Sequence, residues 1–466
     1  MIAELAARPL DPSHPILPLD APHAFMVPSA VLGSWIVNIL GVDPLQSLLL
    51  LGLMNIPLLL FGIWLFSKHF ATHRDRAALW ALLFTLFLWG YRSWGSSGFL
   101  HMNEIGRTMP YPSVFAMALA LICLSLYRSY IKRPRNSLLI VVVLLSAGVT
   151  LSHPVATLFL GVGGLAVWVS SWEERAAWIG IATMLAGAII SAFIWPYYPY
   201  FDLYWNESGV FDPSNREMYE LVLRRTFPLL LGLIVVALRI RTNHRDPIAL
   251  MAVGLCAIYI GGYVFARWSL GRVVSPLAFV LHLAVADWTV AYEAELRSLL
   301  TPSDLRGHAA RALIAITVLA LLLNTAPGIV RGIPSFALPT PLRDDARLDP
   351  IDQRQRFLAR WILSGDVVMS IPETAWPVPA YGGKILAPAH PQAFVDTKPY
   401  WAAASAFFDT SSSNARRQRI LRQYHVRWIL VDEYQQWTSS AVDELLGEEV
   451  EITDKRHGLV LIRVDL

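Results

Sequence analysis

The sequence predicts an α-helical polytopic membrane bundle of ten to eleven transmembrane helices with a small C-terminal α/β extracytoplasmic domain. Three observations predict it. First, 55% of the 466 residues are hydrophobic and 16% charged, with a mean hydropathy of +0.47. A water-soluble surface needs roughly a quarter of its residues charged, so soluble, disordered and coiled-coil chains are excluded together. Second, apolar runs near the ~20 residues that cross ~30 Å of hydrocarbon recur through residues 26–331. Third, residues 332–466 return to ordinary polarity and to the periods of short strands and helices.

Residues 1–25 hold Arg8 against Glu4, Asp11 and Asp20, with five prolines and no apolar core. That is not a signal peptide, and it reads as an extracytoplasmic or interfacial N-terminal segment. A net acidic opening is a poor cytoplasmic anchor, so the recorded start is expected to be internal, with a first helix and an acidic loop upstream of it. Residues 26–40 are a short apolar stretch containing Pro28, Ser34 and Asn38. It admits spanning, re-entrant and interfacial placements. Ten runs then read as spanning helices, at 45–66, 77–92, 112–131, 137–153, 155–171, 176–195, 226–241, 247–266, 273–291 and 311–330. Inside hydrocarbon each backbone polar group must be paired within its own helix.

Orientation follows from Lys and Arg. One set of alternate loops holds fourteen of them, from Lys68, Arg74 and Arg76 through Arg128, Lys132, Arg133 and Arg135 to Arg306 and Arg311. The other holds seven: Arg92, Arg107, Arg216, Arg224, Arg225, Arg267 and Arg272. The richer set belongs in the cytoplasm, which places an integral plasma (inner) membrane protein with residues 332–466 outside.

In that outer domain, 347–363 reads as a surface helix, 366–371, 384–387, 426–431 and 458–464 as strands, and 416–424 and 441–446 as helices. Gly382-Gly383-Lys384 lacks the spacing of a phosphate-cradling loop and reads as a hairpin turn. Arg416, Arg417, Arg419 and Arg422 face either anionic headgroups or a phosphate, or else solvent, balanced in the last case by Glu448, Glu449 and Glu451.

The net charge of +3 is scattered in small clusters beside apolar runs, so nucleic acid is excluded as a partner. Cys123 and Cys256 lie in apolar runs and read as packing residues. Polar residues gather in the outer loop 92–112. There His101, Glu104 and Arg107 stand one helical turn apart, which puts a candidate catalytic base, Glu104 or His101, beside a phosphate-binding guanidinium. The plain alternative is a solvated connector. One His and one carboxylate are too few for a metal site, so no metal ligand is assigned, and a divalent ion stays open as a cofactor.

The outer loop 196–225 carries Tyr198, Asp202 and Trp205, either a headgroup belt or a groove for sugar faces and lipid tails. Asn206-Glu207-Ser208 in it matches a glycosylation sequon. His153-Pro154 sits at a predicted outer junction, as a structural turn or as part of that groove. Arg267 and Arg272 bracket an outer turn, where arginines snorkel or hold the phosphates of a lipid-linked substrate. Asp287 and Glu293 read as interface acids near the opposite end of the helix that follows.

Three stretches resemble a known superfamily: 28–52, PSAVLGSWIVNILGVDPLQSLLLLG; the Gly271-Arg272 turn followed by Pro276; and Tyr424-His425-Val426-Arg427-Trp428-Ile429-Leu430-Val431. Together with the layout they resemble the C superfamily of membrane glycosyltransferases (GT-C), over most of the chain. The resemblance implies a polyprenyl-phosphate-linked sugar donor, a cell-envelope acceptor, an outer-face site and transfer with inversion. It also implies an acidic base just after a first helix. The acids before residue 26 do not follow a spanning helix, and Asp20 is carried as the candidate nearest that role. Arg107, Arg267 and Arg272 are then candidate donor-phosphate ligands, and His153, Tyr198, Asp202 and Trp205 the substrate groove. A transporter or lipid flippase, with polar groups at the midplane, and a non-catalytic envelope-assembly scaffold are the competing classes. Membrane lipid is a partner in each, and the sequence assigns no oligomeric state.

Overall fold

All ten apolar runs are helices in the computed structural model, which describes residues 1–205, 212–295, 305–332, 353–432, 450–456 and 458–464. Ahead of the bundle stand α1 (Ile2–Ala7) and α2 (Pro28–Leu40). The bundle continues with α3 (Pro44–Phe70), α4 (Arg74–Phe87), the loop helix α5 (Met102–Thr108), α6 (Pro112–Lys132), α7 (Asn136–Ser152), α8 (Pro154–Ser170) and α9 (Arg175–Ile194). Then come α10 (Tyr200–Trp205), α11 (Val222–Thr226), α12 (Leu229–Thr242), α13 (Pro247–Val264), α14 (Val274–Ala291) and α15 (Leu305–Gly332). Among the described residues five segments are long and apolar enough to cross a membrane alone: Pro44–Phe70, Pro112–Lys132, Arg175–Ile194, Pro247–Val264 and Trp268–Ala291. The chain is a multi-pass, mostly helical membrane protein with a small C-terminal sheet. The expected helix at 441–446, the start of the one at 347–363 and the 206–208 sequon lie outside the described residues.

Local chemistry sets the helix starts. Asp43 caps α3, its Oδ1 accepting from the amides of Leu45 and Gln46 at 2.8 and 2.9 Å, while Gln46 Oε1 accepts from the Asp43 amide at 3.2 Å. Pro44, Pro112, Pro154 and Pro247 open their helices, where the missing N–H would be unpaired anyway. At the centre of the bundle α14 is buried at each position over 274–287, as a helix that is hydrophobic on nearly all sides and surrounded by protein should be. Leu53, Ile140 and Ile190 on other helices stay exposed, as lipid-facing residues do.

The two loop sets separate to opposite ends. At one end His69 Nε2 lies 2.7 Å from Ser129 Oγ, and Arg245 pairs with Glu173 at 3.1 Å. Asp287, expected as an interface acid, is instead buried there and bonded on both oxygens. Its Oδ1 accepts from the amides of Thr72 and His73 at 2.9 Å each, and its Oδ2 accepts from Arg239 at 2.9 Å. At the other end the amides of Gly90 and Tyr91 donate to the carbonyls of Arg225 and Arg224 at 2.9 and 3.0 Å. Both ends of α2 lie at this second end: Trp195 Nε1 donates to Met26 O at 3.1 Å, and α2 turns at Gly41 into the start of α3. It does not cross the bundle.

The last helix is fastened to the loop helix α5 by one side chain. Asn103 Nδ2 donates to Asn324 O at 3.0 Å, and its Oδ1 accepts from Gly328 N at 2.9 Å. Those two backbone groups are i and i+4, so the carboxamide is inserted into the ladder of α15 beside Pro327. A methyl at Gly328 would overlap Met102 O and the Asn103 Cα. Gly328→Ala is therefore expected to cost about 1–3 kcal/mol by overpacking. A thermal midpoint equal to that of the unchanged protein would contradict the contact.

The C-terminal sheet has the order β2-β1-β3-β5-β4, with β1 (Val367–Met369), β2 (Lys384–Ile385), β3 (Val426–Asp432), β4 (Val450–Arg456) and β5 (Leu459–Val464). The four expected strands are all present. Gly382-Gly383-Lys384 is not a hairpin turn, however: β1 and β2 pair in parallel, which requires a crossover, here through α16 (Pro372–Ala375) and a 3-10 turn. The sequence reading missed three elements, α16, α17 (Lys398–Phe408) and the edge strand β4. Charges at Glu451, Asp454, Lys455 and Arg456 hide the strand period of β4, a usual guard on exposed edges. On α18 (Asn414–Gln423) Arg417 is buried, not surface-facing. Its Nε donates to Phe407 O at 2.9 Å, closing the end of α17.

Candidate functional site: an anion cleft at one end of the bundle

The stretch between α4 and α6 is non-helical except for α5, so its carbonyls need partners. Two histidines supply them. His282 Nε2 donates to Leu88 O and His101 Nε2 to Trp94 O, both at 2.9 Å, and the ring of Trp89 lies between the two imidazoles at 5.2 Å from His101 and 5.7 Å from His282. Burial pushes the His101 ring down to about 4, a shift only partly offset by its bond to Trp94 O, so it is neutral at pH 7. The indole of Trp94 donates to Glu217 O at 2.8 Å, and Arg225 lies over its ring. Glu104 is 6% exposed and accepts from Arg107 Nη2 at 2.6 Å. The pair backs onto Gly95, where a Cβ would stand 3.0 Å from Glu104 Oε1. The sequence grouping of His101, Glu104 and Arg107 thus becomes a support for the turn at residues 95–98.

That turn forms one wall of a small cleft that opens to the outside. Ser97 and Gly98 come from the turn, Ser113 and Met117 from the start of α6, His153, Val155 and Ala156 from the start of α8, and Arg272, Ser275 and Pro276 from the start of α14. Gly98 holds a φ of +95°, open to glycine and strained for other residues. Its carbonyl accepts from Ser275 Oγ. Arg272 Nη2 donates to Ser97 O at 2.8 Å and to Ser97 Oγ at 2.7 Å, leaving its buried Nε without a partner. Ser113 is 3% exposed, and its Oγ has no partner either.

The described lining carries positive charge, with the Glu217 carboxylate acting on Arg272 from outside it. Arg272 brings a full positive charge, and α6 and α8 both begin at the cleft, each helix start being equivalent to roughly half a positive charge and carrying amides without intrahelical acceptors. Among the described residues no carboxylate lines the cleft. Its donors therefore suit a phosphate or a similar oxyanion and do not fit a divalent cation, which needs carboxylate or carbonyl oxygens. Among the described residues no group of three His, Cys, Asp or Glu is placed to hold a metal.

Of the residues singled out in the sequence, Arg272 and His153 meet in the cleft. Tyr198 stands beside it, buried, its hydroxyl donating to Leu151 O at 3.3 Å. Arg267 is exposed at the start of the 3-10 turn before α14, Asp202 and Trp205 are exposed on α10, and Asp20 is exposed on the N-terminal segment. Sequence reading missed Ser97, Gly98, Ser113 and Ser275. A usable signal was present: Pro112-Ser113, His153-Pro154 and Ser275-Pro276 each place proline in the first turn of a helix that starts at the cleft.

A solved structure shares this fold over most of the chain. The chain is similar in fold to an archaeal oligosaccharyltransferase. The Archaeoglobus fulgidus enzyme tethered to an acceptor peptide containing the NVT sequon superposes with a TM-score of 0.50 at 12% identity, covering 94% of this chain and 64% of that one. The same enzyme with Zn and sulfate gives 0.48 at 15% identity, covering 88% and 59%. Archaeal AglB from Archaeoglobus fulgidus, with an inhibitory peptide and a dolichol-phosphate, gives 0.49 at 12% identity, covering 93% and 65%. The chain thus spans less than two thirds of each. No family model and no curated protein sequence matches it.

Proposed function

We propose that the chain is a membrane glycosyltransferase of the GT-C type. It transfers a sugar from a polyprenyl-phosphate donor to a cell-envelope acceptor, and the cleft at Arg272 holds the donor's phosphate. The observation that carries this reading is the convergence of Arg272 and the starts of α6 and α8 on one space, with no carboxylate among the described residues that line it. The fold shared with the oligosaccharyltransferase supports the superfamily. In this reading the ten bundle helices cross an inner membrane, α2 lies along its outer interface, and the cleft and the sheet domain face outward with the smaller set of arginines.

Chemically, the cleft serves the leaving group. As the bond between sugar and phosphate oxygen breaks, negative charge grows on the phosphate, and a fixed guanidinium with helix amides stabilises it more in the transition state than in the bound donor. His153 supplies a further donor at the rim, and Glu104 with Arg107 keeps the 95–98 turn in place rather than meeting the donor directly.

The test is binding of a polyprenyl monophosphate to the purified protein. Arg272→Gln is expected to weaken it by roughly tenfold or more, about 1.4 kcal/mol. Ser113→Ala, which disturbs no hydrogen bond, should weaken it severalfold. Affinities within twofold of the unchanged protein for both variants would remove the phosphate from this cleft.

A further inference from the structure

The edge of the C-terminal sheet is occupied by the chain's own opening residues. The amide of Ile385 in the edge strand β2 donates to Ile16 O at 2.8 Å. Beside it Lys384 is 5% exposed and has two acceptors, both from the opening segment. One is the Glu4 carboxylate and the other His14 O, at 2.7 Å. Ser13 Oγ holds the second Glu4 oxygen at 2.6 Å. Further along, the ring of His23 lies 3.1 Å from Gln392 Oε1.

The same segment is tied to the bundle. Tyr197 Oη donates to Pro9 O at 2.9 Å, and Asn38 Nδ2 to Ala6 O at 3.2 Å. The sheet domain also meets the bundle directly: Phe394 stacks on Tyr198 with centroids 6.3 Å apart, and Tyr198 in turn holds Leu151 O, two residues before His153 of the cleft.

We infer that the outer edge of the C-terminal sheet is a binding surface for residues 4–23 of the same chain, which strap the sheet domain onto the loop at 195–201 beside the cleft. Lys384 is the latch. A lysine ammonium buried with two acceptors on a second segment keeps that segment in place, because releasing it strands the charge until the whole region opens. The strap thereby couples the seating of the sheet domain, through Phe394 and Tyr198, to the helix junction that carries His153.

The test uses full-length protein in lipid nanodiscs and amide hydrogen exchange, with no donor present, so its outcome is independent of the phosphate assignment. Glu4→Gln should accelerate exchange at 384–394 and at 195–201 together by roughly tenfold or more, with 426–431 in β3 unchanged as the sign that the sheet stays folded. Adding Lys384→Gln to Glu4→Gln removes the stranded charge and should restore most of the protection. Loosening at 384–394 with 195–201 unchanged, or no change at either, overturns the coupling.

Discussion

Asp287→Ala is expected to destabilise the bundle by about 3–5 kcal/mol, the cost of breaking a buried charge network from one side. The carboxylate lies 13 residues along α14 from Val274, about 20 Å at 1.5 Å per residue, so the effect is remote from the cleft. It closes the α3–α4 connection by accepting from the amides of Thr72 and His73, and it shares Arg239 with Asp246, whose Oδ2 accepts from Arg239 Nη2 at 2.9 Å. Asp246 also caps α13 through the Ala249 amide at 2.9 Å. One carboxylate therefore fixes four elements, and its removal leaves two half-buried amides and part of a guanidinium without their acceptor. Asp287→Asn keeps acceptors for the amides and should cost less. The check is the midpoint of unfolding in a denaturing detergent. An alanine variant within about 1 kcal/mol of the unchanged protein would mean that the network adds little.

Lowering the pH from 7 to 4 is expected to cost the N-terminal segment about 3 kcal/mol through His14 alone. His14 is fully buried, and its Nδ1 accepts from the Leu17 amide at 2.9 Å. Burial first, and then the charges of Lys384 and the Met1 amine, push it down to about 4, against an ordinary value of 6.5, with Glu4 opposing. His23, whose ring centroid is 4.8 Å away, is pushed well below its ordinary value by burial and by the same neighbours. The sign follows. Above 6.5 the ring is neutral whether seated or released, and no stability is lost. Between 6.5 and about 4 the released ring takes a proton that the seated ring refuses, so stability falls as the pH falls. Glu4, held below its ordinary value against burial by the bonds from Lys384 and Ser13, adds a further loss at still lower pH. Melting curves at pH 7.5, 6 and 5 should show the decline, and His14→Gln, which keeps an acceptor without titrating, should flatten it. An equal slope in both proteins would rule the histidine out as its source.

Much of the bundle was legible in the sequence. Ten runs of apolar residues became ten helices, because a mainly apolar segment has the same need for internal hydrogen bonds wherever it sits. The alternation of Lys and Arg between loops foretold which connections share an end, as Arg245 with Glu173 at one end and Gly90 with Arg225 at the other bear out. The site was less legible. Arg272 and His153 were both marked as outer-turn residues, but nothing in their spacing places them in one cleft, and Ser97 and Ser113 look like ordinary polar residues until Arg272 is seen between them. Likewise the charge at Asp287 resembles any interface acid until α12 and the α3–α4 connection close over it.

Composition and period thus determined the membrane class, the helices and most strands of the sheet, since these depend on each residue and its near neighbours. Tertiary structure alone decided which lipid-like faces turn inward, as with α14, and which distant polar groups meet: Arg272 with Ser97, Asp287 with Arg239, Lys384 with Glu4. The reason is that hydropathy does not distinguish burial in lipid from burial in protein, whereas a polar group withdrawn from water must find its partner wherever the folded chain supplies one.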